Sequence, residues 1–427
     1  MQSGIETPGG SRGWLLRLVI AFGFAQAAVS TARPALSYRA LALGADERAV
    51  GVVAGAYALL PLLAAVPLGR RTDHGRAAPL LPAGVVLIAG GCALSGVAES
   101  LAAMALWSGV TGLGHLCFVI GAQSLVARRS APWEQDRNFG HFTIGASLGQ
   151  LVGPVVAGAL VTGHDMAGSS ARALLAAGAA AAAACTSLWR VERRTDERSR
   201  ADRGVRADSG SRTAPGTAAP RRERVPVRDI LRARGVPGGI LVSLAVLSAT
   251  DVLTAYLPVV GERRGIAPSA VGLLLGLRAA ATIACRLVLT PLLRLLGRTA
   301  LLTVTCLTAA VLCAGIALPV PVWALGVVLA VLGFCLGVGQ PLSMTTVVRA
   351  APEEARSTAL ALRLTGNRLG QVAAPAAAGM VAGVAGVAAP FVMLGALLLL
   401  ASGVALRSPD RTDGALRGAG QAAGGPP

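Results

Sequence analysis

The chain has 427 residues, of which 54% are hydrophobic and only 14% charged, against about 25% charged in an ordinary soluble domain. Its formal net charge of +18 would suit nucleic acid in a soluble protein, but the arginines lie mostly in the connections between apolar segments, a pattern of membrane topology. Lysine is absent and with it any Gly-x-x-x-x-Gly-Lys-Ser/Thr nucleotide loop; no His-Glu-x-x-His or Gly-x-Ser-x-Gly points to an enzyme, and the histidines show no metal spacing.

In chain order, residues 1–13 read as a short disordered cytoplasmic tail. Twelve apolar spans follow, at roughly 14–36, 49–69, 78–97, 101–127, 139–162, 170–190, 236–259, 269–292, 299–318, 321–347, 357–382 and 386–406. Each is long enough to cross a hydrocarbon layer of ~30 Å at ~1.5 Å per residue. The first is too long for a signal-peptide core and shows no clear cleavage site, so it is expected to be retained. Residues 191–235, rich in Arg, Ser, Gly and Pro, read as a disordered basic cytoplasmic linker. The linker separates an N-terminal six-helix bundle, 14–190, from a C-terminal one, 236–406, and 407–427 reads as a disordered tail. Loop arginines set the orientation. Arg70, Arg71, Arg76, Arg128, Arg129, Arg137, Arg294, Arg298, Arg349 and Arg356 share one side with the linker, against Arg39, Arg48, Arg172, Arg263 and Arg264 on the other. Basic loops stay in the cytoplasm, which places both termini inside.

The two bundles read as copies. GQLVGPVVAG, from Gly149 to Gly158, returns as GQVAAPAAAG, from Gly370 to Gly379, at an offset of 221 residues. The same offset relates Gly44, Val50, Gly51 and Gly55 to Gly265, Val271, Gly272 and Gly276, Gly112 to Gly333, and Arg128 to Arg349. Glycines spaced this way leave a strip on one helix face where a neighbour can approach closely, while Pro154 and Pro375 predict helix breaks.

With this organisation the chain resembles the major facilitator superfamily over essentially all of Trp14 to Leu406. The loop after the second span, GRRTDHGRA, resembles the superfamily's motif A, with Gly69, Asp73, Gly75 and Arg76 in place and one residue fewer between Asp73 and Gly75. In that family the motif latches the two halves. The fifth span resembles motif C, associated with exporters that exchange cargo for protons, through Gly140, Gly149, Gly153, Pro154 and Gly158, with Ala157 in place of a glycine. Ser108 stands where motif B would carry an arginine. The resemblance implies an all-α membrane protein of twelve transmembrane helices in two pseudo-symmetric halves. It also implies alternating access with no bound cofactor, driven by a proton gradient, in the cytoplasmic membrane of a bacterium.

Ionisable groups inside spans are costly in lipid and therefore mark candidate sites. Asp251 is the single acid; Arg33, Arg278, Arg363 and Arg368 are the candidate cations, with Arg286 toward the inner end of its span expected to snorkel to the cytoplasmic surface, and Asn367, Tyr57, Gln123, His115 and Gln340 join them as polar candidates. Arg363 and Asn367 share a helix face, and Tyr57 occupies the repeat position of Arg278. Three roles stay open for this set: a protonatable Asp251, arginines that hold an anionic cargo, or a fixed Asp–Arg bridge between helices. The expected function is export of a small organic molecule against protons, with import of an organic anion as the alternative and a membrane-embedded enzyme as the disfavoured one. The expected partners are the lipid bilayer, a small-molecule substrate and the proton, with no nucleic acid and a monomeric state.

Overall fold

Backbone polar groups that enter lipid must be satisfied within their own segment or in a closed barrel, and this chain takes the helical solution. The computed structural model describes residues 13–73, 79–130, 132–208, 226–233, 235–352 and 355–407. In order these form α1 (Gly13–Ala42), α2 (Glu47–Asp73), α3 (Leu80–Val97), α4 (Leu101–Arg129), a 3-10 turn (Pro132–Glu134), α5 (Gln135–Leu160) and α6 (Met166–Asp208). The second series is α7 (Val227–Arg232), α8 (Val236–Arg263), α9 (Pro268–Leu296), α10 (Arg298–Ile316), α11 (Val322–Ala350), α12 (Arg356–Ala385) and α13 (Ala389–Leu406). Among the described residues there is no strand, and eleven helices are long and apolar enough to cross a membrane. The twelfth expected span, α12, is long enough at 30 residues but is made more polar by Arg363, Asn367 and Arg368.

Two expectations are corrected. Neither Pro154 nor Pro375 breaks its helix: α5 and α12 run through them, because a proline removes only one donor and packed neighbours tolerate the freed carbonyl. The segment expected as disordered linker is partly helical, since α6 continues to Asp208 and α7 forms a separate short helix that buries Ile230 against Val347, Ala351 and Ala359.

The duplication is visible in the packing. In the first half α1 packs on α5 and α6, α3 on α4 and α6, and α2 on α4. In the second half α8 packs on α12 and α13, α10 on α11 and α13, and α9 on α11, the same pairings displaced by one repeat. Even the turns agree. Gly44 (φ 79°) and Gly265 (φ 66°) take the left-handed conformation after α1 and α8, and the amides of Ala45 and Ile266 donate back to the carbonyls of Ala40 and Gly261 at 3.0 and 2.8 Å. This is the helix-ending arrangement that glycine makes without strain. The halves meet through α2 on α12, α5 on α9, and α8 against both α1 and α2.

Candidate transport site

Two glycine seams close one end of the molecule. A Cβ on Gly158 would lie 2.5 Å from the Pro268 carbonyl and 2.8 Å from the Gly272 Cα, so α5 and α9 touch backbone to backbone. Across the repeat, a Cβ on Gly51 would meet the Pro375 carbonyl and the Gly379 Cα, closing α2 on α12 in the same way. A substituted Gly379 would strike the carbonyls of Glu47 and Arg48 at 3.0 Å. Gly149 and Gly153 instead hold α5 against Gln26, Ser30 and Thr31 of α1, where the Thr31 hydroxyl donates to the Gly153 carbonyl at 3.0 Å. The glycine run resembling motif C therefore packs α5 on α1 at Gly149 and Gly153 and joins the halves at Gly158, while Gly140 has no neighbour within 4 Å of a Cβ placed there. Of the motif A residues, Gly69 and Asp73 fall near the end of α2, while Gly75 and Arg76 lie outside the described residues.

Side chains reinforce the same end. The Tyr256 hydroxyl on α8 donates to the Glu47 carbonyl at 2.8 Å, and Arg263 pairs with the Glu47 carboxylate at 2.5 Å. These three residues were not singled out in the sequence as site candidates. Glu47 and Arg263 read there as loop charges, and nothing in the order of residues says that loops of opposite halves adjoin.

Deeper in lies the charged centre. Arg33 Nη1 donates to Asp251 Oδ1 at 2.6 Å, joining α1 to α8. The Asp251 side chain is 2% exposed and is the only buried carboxylate among the described residues. Its Oδ2 has no hydrogen-bond partner. The Arg33 guanidinium also sits over the Tyr57 ring, 5.2 Å from its centroid, a favourable cation–π placement. Tyr57 and Arg278 are each the eleventh residue of their helices, α2 and α9, about 15 Å along the axis. A Cβ on Gly112 would meet the Tyr57 carbonyl, and one on Gly333 the Arg278 carbonyl, so both backbones lie against a facing glycine.

A polar chain extends from this centre into the first half. Gln26 Nε2 donates to Ser30 Oγ at 3.2 Å, which leaves Gln26 Oε1 to accept from His115 Nε2 at 3.0 Å. His115 Nδ1 then accepts from the Tyr57 hydroxyl at 2.7 Å. Of these, Gln26 and Ser30 escaped the sequence reading because an amide and a hydroxyl in an apolar span carry no signal of their own. A cavity with room for about one water molecule lies beside Arg33, lined by Leu36, Tyr57 and Ser108 and by Ala255 of the other half.

The remaining candidates divide. Arg278 is 8% exposed and its Nε is unpartnered. Arg368 is half-buried and donates to Gln371 Oε1 at 3.0 Å. Arg363 belongs to a separate cluster. It donates to the Gln340 side chain at 2.8 Å and to Ser343 Oγ at 3.2 Å, while Gln340 Nε2 donates to the Ser243 carbonyl at 3.1 Å. Arg363 and Gln340 thus tie α12, α11 and α8 together within the second half. Asn367 is buried with its Oδ1 unpartnered, and Gln123 is exposed on α4. Ser108, in place of the motif B arginine, is buried and donates to the Val53 carbonyl at 3.1 Å, pinning α4 to α2.

Comparison with known proteins bears on the whole chain. The profile of the Major Facilitator Superfamily matches residues 18–352 and 320–425. The chain belongs to this superfamily. Among solved structures, this superfamily member is similar in fold to a bacterial homologue of the human lysosomal transporter Spinster in an inward-facing, unoccupied conformation. The TM-score is 0.70 at 14% identity, covering 94% of this chain and 98% of that one. It is also similar to the nucleoside transporter NupG (TM-score 0.67, 12% identity, 93% and 98% covered). A POT family transporter in complex with 5-aminolevulinic acid gives a TM-score of 0.69 at 15% identity, with 95% and 97% covered. No curated protein matches the sequence.

Proposed function

We propose that the protein is a proton-coupled secondary transporter that exports a small organic molecule across the cytoplasmic membrane of a bacterium, as a monomer and with no bound cofactor. The observation that carries this reading is the Arg33–Asp251 pair. It is a charge contact between α1 and α8 of opposite halves with its carboxylate buried, in a molecule whose one end the glycine seams close. The arginine distribution assigns that end to the outside, so the described state is sealed outward. Opening outward must pull α1 away from α8 and break the pair. The parted Asp251 is then free to take a proton from the outside, and closing outward re-forms the bond to Arg33 and expels that proton to the cytoplasm, which links proton entry to the rocking of the halves. The exporter direction is supported by the glycine run of α5, whose last member forms part of the outer seam.

The test is transport in liposomes containing the purified protein, scored against a library of metabolites under an imposed pH gradient. Counterflow of some compound that responds to the gradient, and that disappears in Asp251→Asn, is the expected result. Gradient-independent transport that survives this substitution would sink the proton-carrier role of Asp251.

A further inference from the structure

The transport site holds more positive charge than it neutralises. Arg33 and Arg278 accompany a single buried carboxylate, and that carboxylate accepts from Arg33 through its Oδ1. Arg368 is satisfied by a neutral amide oxygen. Arg278 makes no side-chain hydrogen bond or ion pair with any described residue, and its Nε is buried without a partner. A guanidinium that is 8% exposed and has no acceptor is expensive in a low-dielectric interior, and an intramembrane charge left in that state points to an absent partner.

The repeat shows that the fold does not need this cation. Tyr57 fills the same position in the first half, and its backbone rests on Gly112 as that of Arg278 rests on Gly333. The packing is served by the backbone in both copies, so the arginine side chain is left over for another task. Building on the reading of this centre as the transport site, we propose that the cargo is a small organic oxyanion whose carboxylate or phosphate group takes the open guanidinium of Arg278. A planar guanidinium presents two parallel donors to such a group, a match that no neutral cargo makes as well.

The test reads binding by thermal shift on the purified full chain, without a pH gradient. The probes are succinate, benzoate and glucose 6-phosphate, each beside its uncharged counterpart, succinamide, benzamide and glucose, at matched ionic strength. A saturable rise in Tm with at least one oxyanion and none with its counterpart is expected; which oxyanion acts separates carboxylate from phosphate cargo. Arg278→Gln should shift the half-saturating concentration upward at least tenfold, yet leave the ligand-free Tm unchanged or higher, since it removes an unpaired buried charge. Arg278→Lys, which keeps the charge and loses the fork, should bind more weakly than the parent protein and more tightly than Arg278→Gln. The proposal is overturned if no oxyanion acts, if the counterparts act equally, if Arg278→Gln binds unchanged, or if its ligand-free Tm falls as for a lost structural bridge. A protein that binds these anions but moves no protons would retire the coupling and leave the cargo class standing. Proton exchange for an uncharged cargo would do the reverse.

Discussion

Arg33 and Asp251 join the two halves through a single contact of 2.6 Å. Removing one member of a buried pair strands the other, at a cost of roughly 3–5 kcal/mol. Asp251→Asn and Arg33→Leu are therefore each expected to lower the Tm of the purified protein, and the exchanged double variant Arg33→Asp/Asp251→Arg to recover part of the loss. An exchanged variant no more stable than the singles would show that the two do not depend on each other. His115 sets a milder test. His115→Phe leaves the Tyr57 hydroxyl without its acceptor, a loss of about 1–3 kcal/mol for a buried polar group. His115→Gln retains an acceptor and should lose less in the same thermal scan. At this scale the sequence was half legible. A lone acid in an apolar span declared itself, but its partner did not, because residues 218 positions apart share no periodicity that could select Arg33 from the other arginines. The same blindness grouped Arg363 and Gln340 with the centre, although their bonds run inside one half.

The helices were legible where the residue pattern itself imposes geometry. Glycines at a fixed spacing predict close approach, and the offset of 221 predicted that each close approach would occur twice, as the seams at Gly51/Gly379 and Gly158/Gly272 show. The ends were less legible. Nothing in the charged composition after residue 190 marks the extra turns of α6, because arginine and glutamate are good helix formers and hydropathy does not register them. The proline positions misled for the opposite reason: the rule for isolated helices ignores the neighbours against which α5 and α12 stay helical through them. The seams carry their own test. Gly272→Ala places a methyl against the Pro154 carbonyl and the Gly158 Cα and should push α5 and α9 apart at the seam. Hydrogen exchange should then quicken at residues 154–160 and 268–276, and at the sister seam as well, while Gly403, with nothing near its Cα, tolerates alanine in silence.

For the molecule as a whole, the charge on the cargo decides how the membrane voltage acts. A monovalent anion leaving as a proton enters carries two charges in the favourable sense under an inside-negative potential, worth roughly 4.6 kcal/mol per 100 mV at ~2.3 kcal/mol per charge. Export from proteoliposomes should accordingly speed up when a potassium diffusion potential makes the interior negative, and slow when the potential is reversed. Voltage-independent export would exclude this exchange. The fold and its doubling were readable from composition and repeat alone, since lipid permits so few architectures. Which end is shut was not, because both states use one sequence.

The doubled seam has a mechanical corollary. Its two strips flank the centre and are formed by rigid bundles, so neither can part while the other stays joined. A single staple is then enough to arrest the machine: cysteines replacing Glu47 and Arg263, whose side chains meet across the halves beside the seams, would, once bridged by a short bifunctional methanethiosulfonate, hold both strips shut, and a reducing agent would release them.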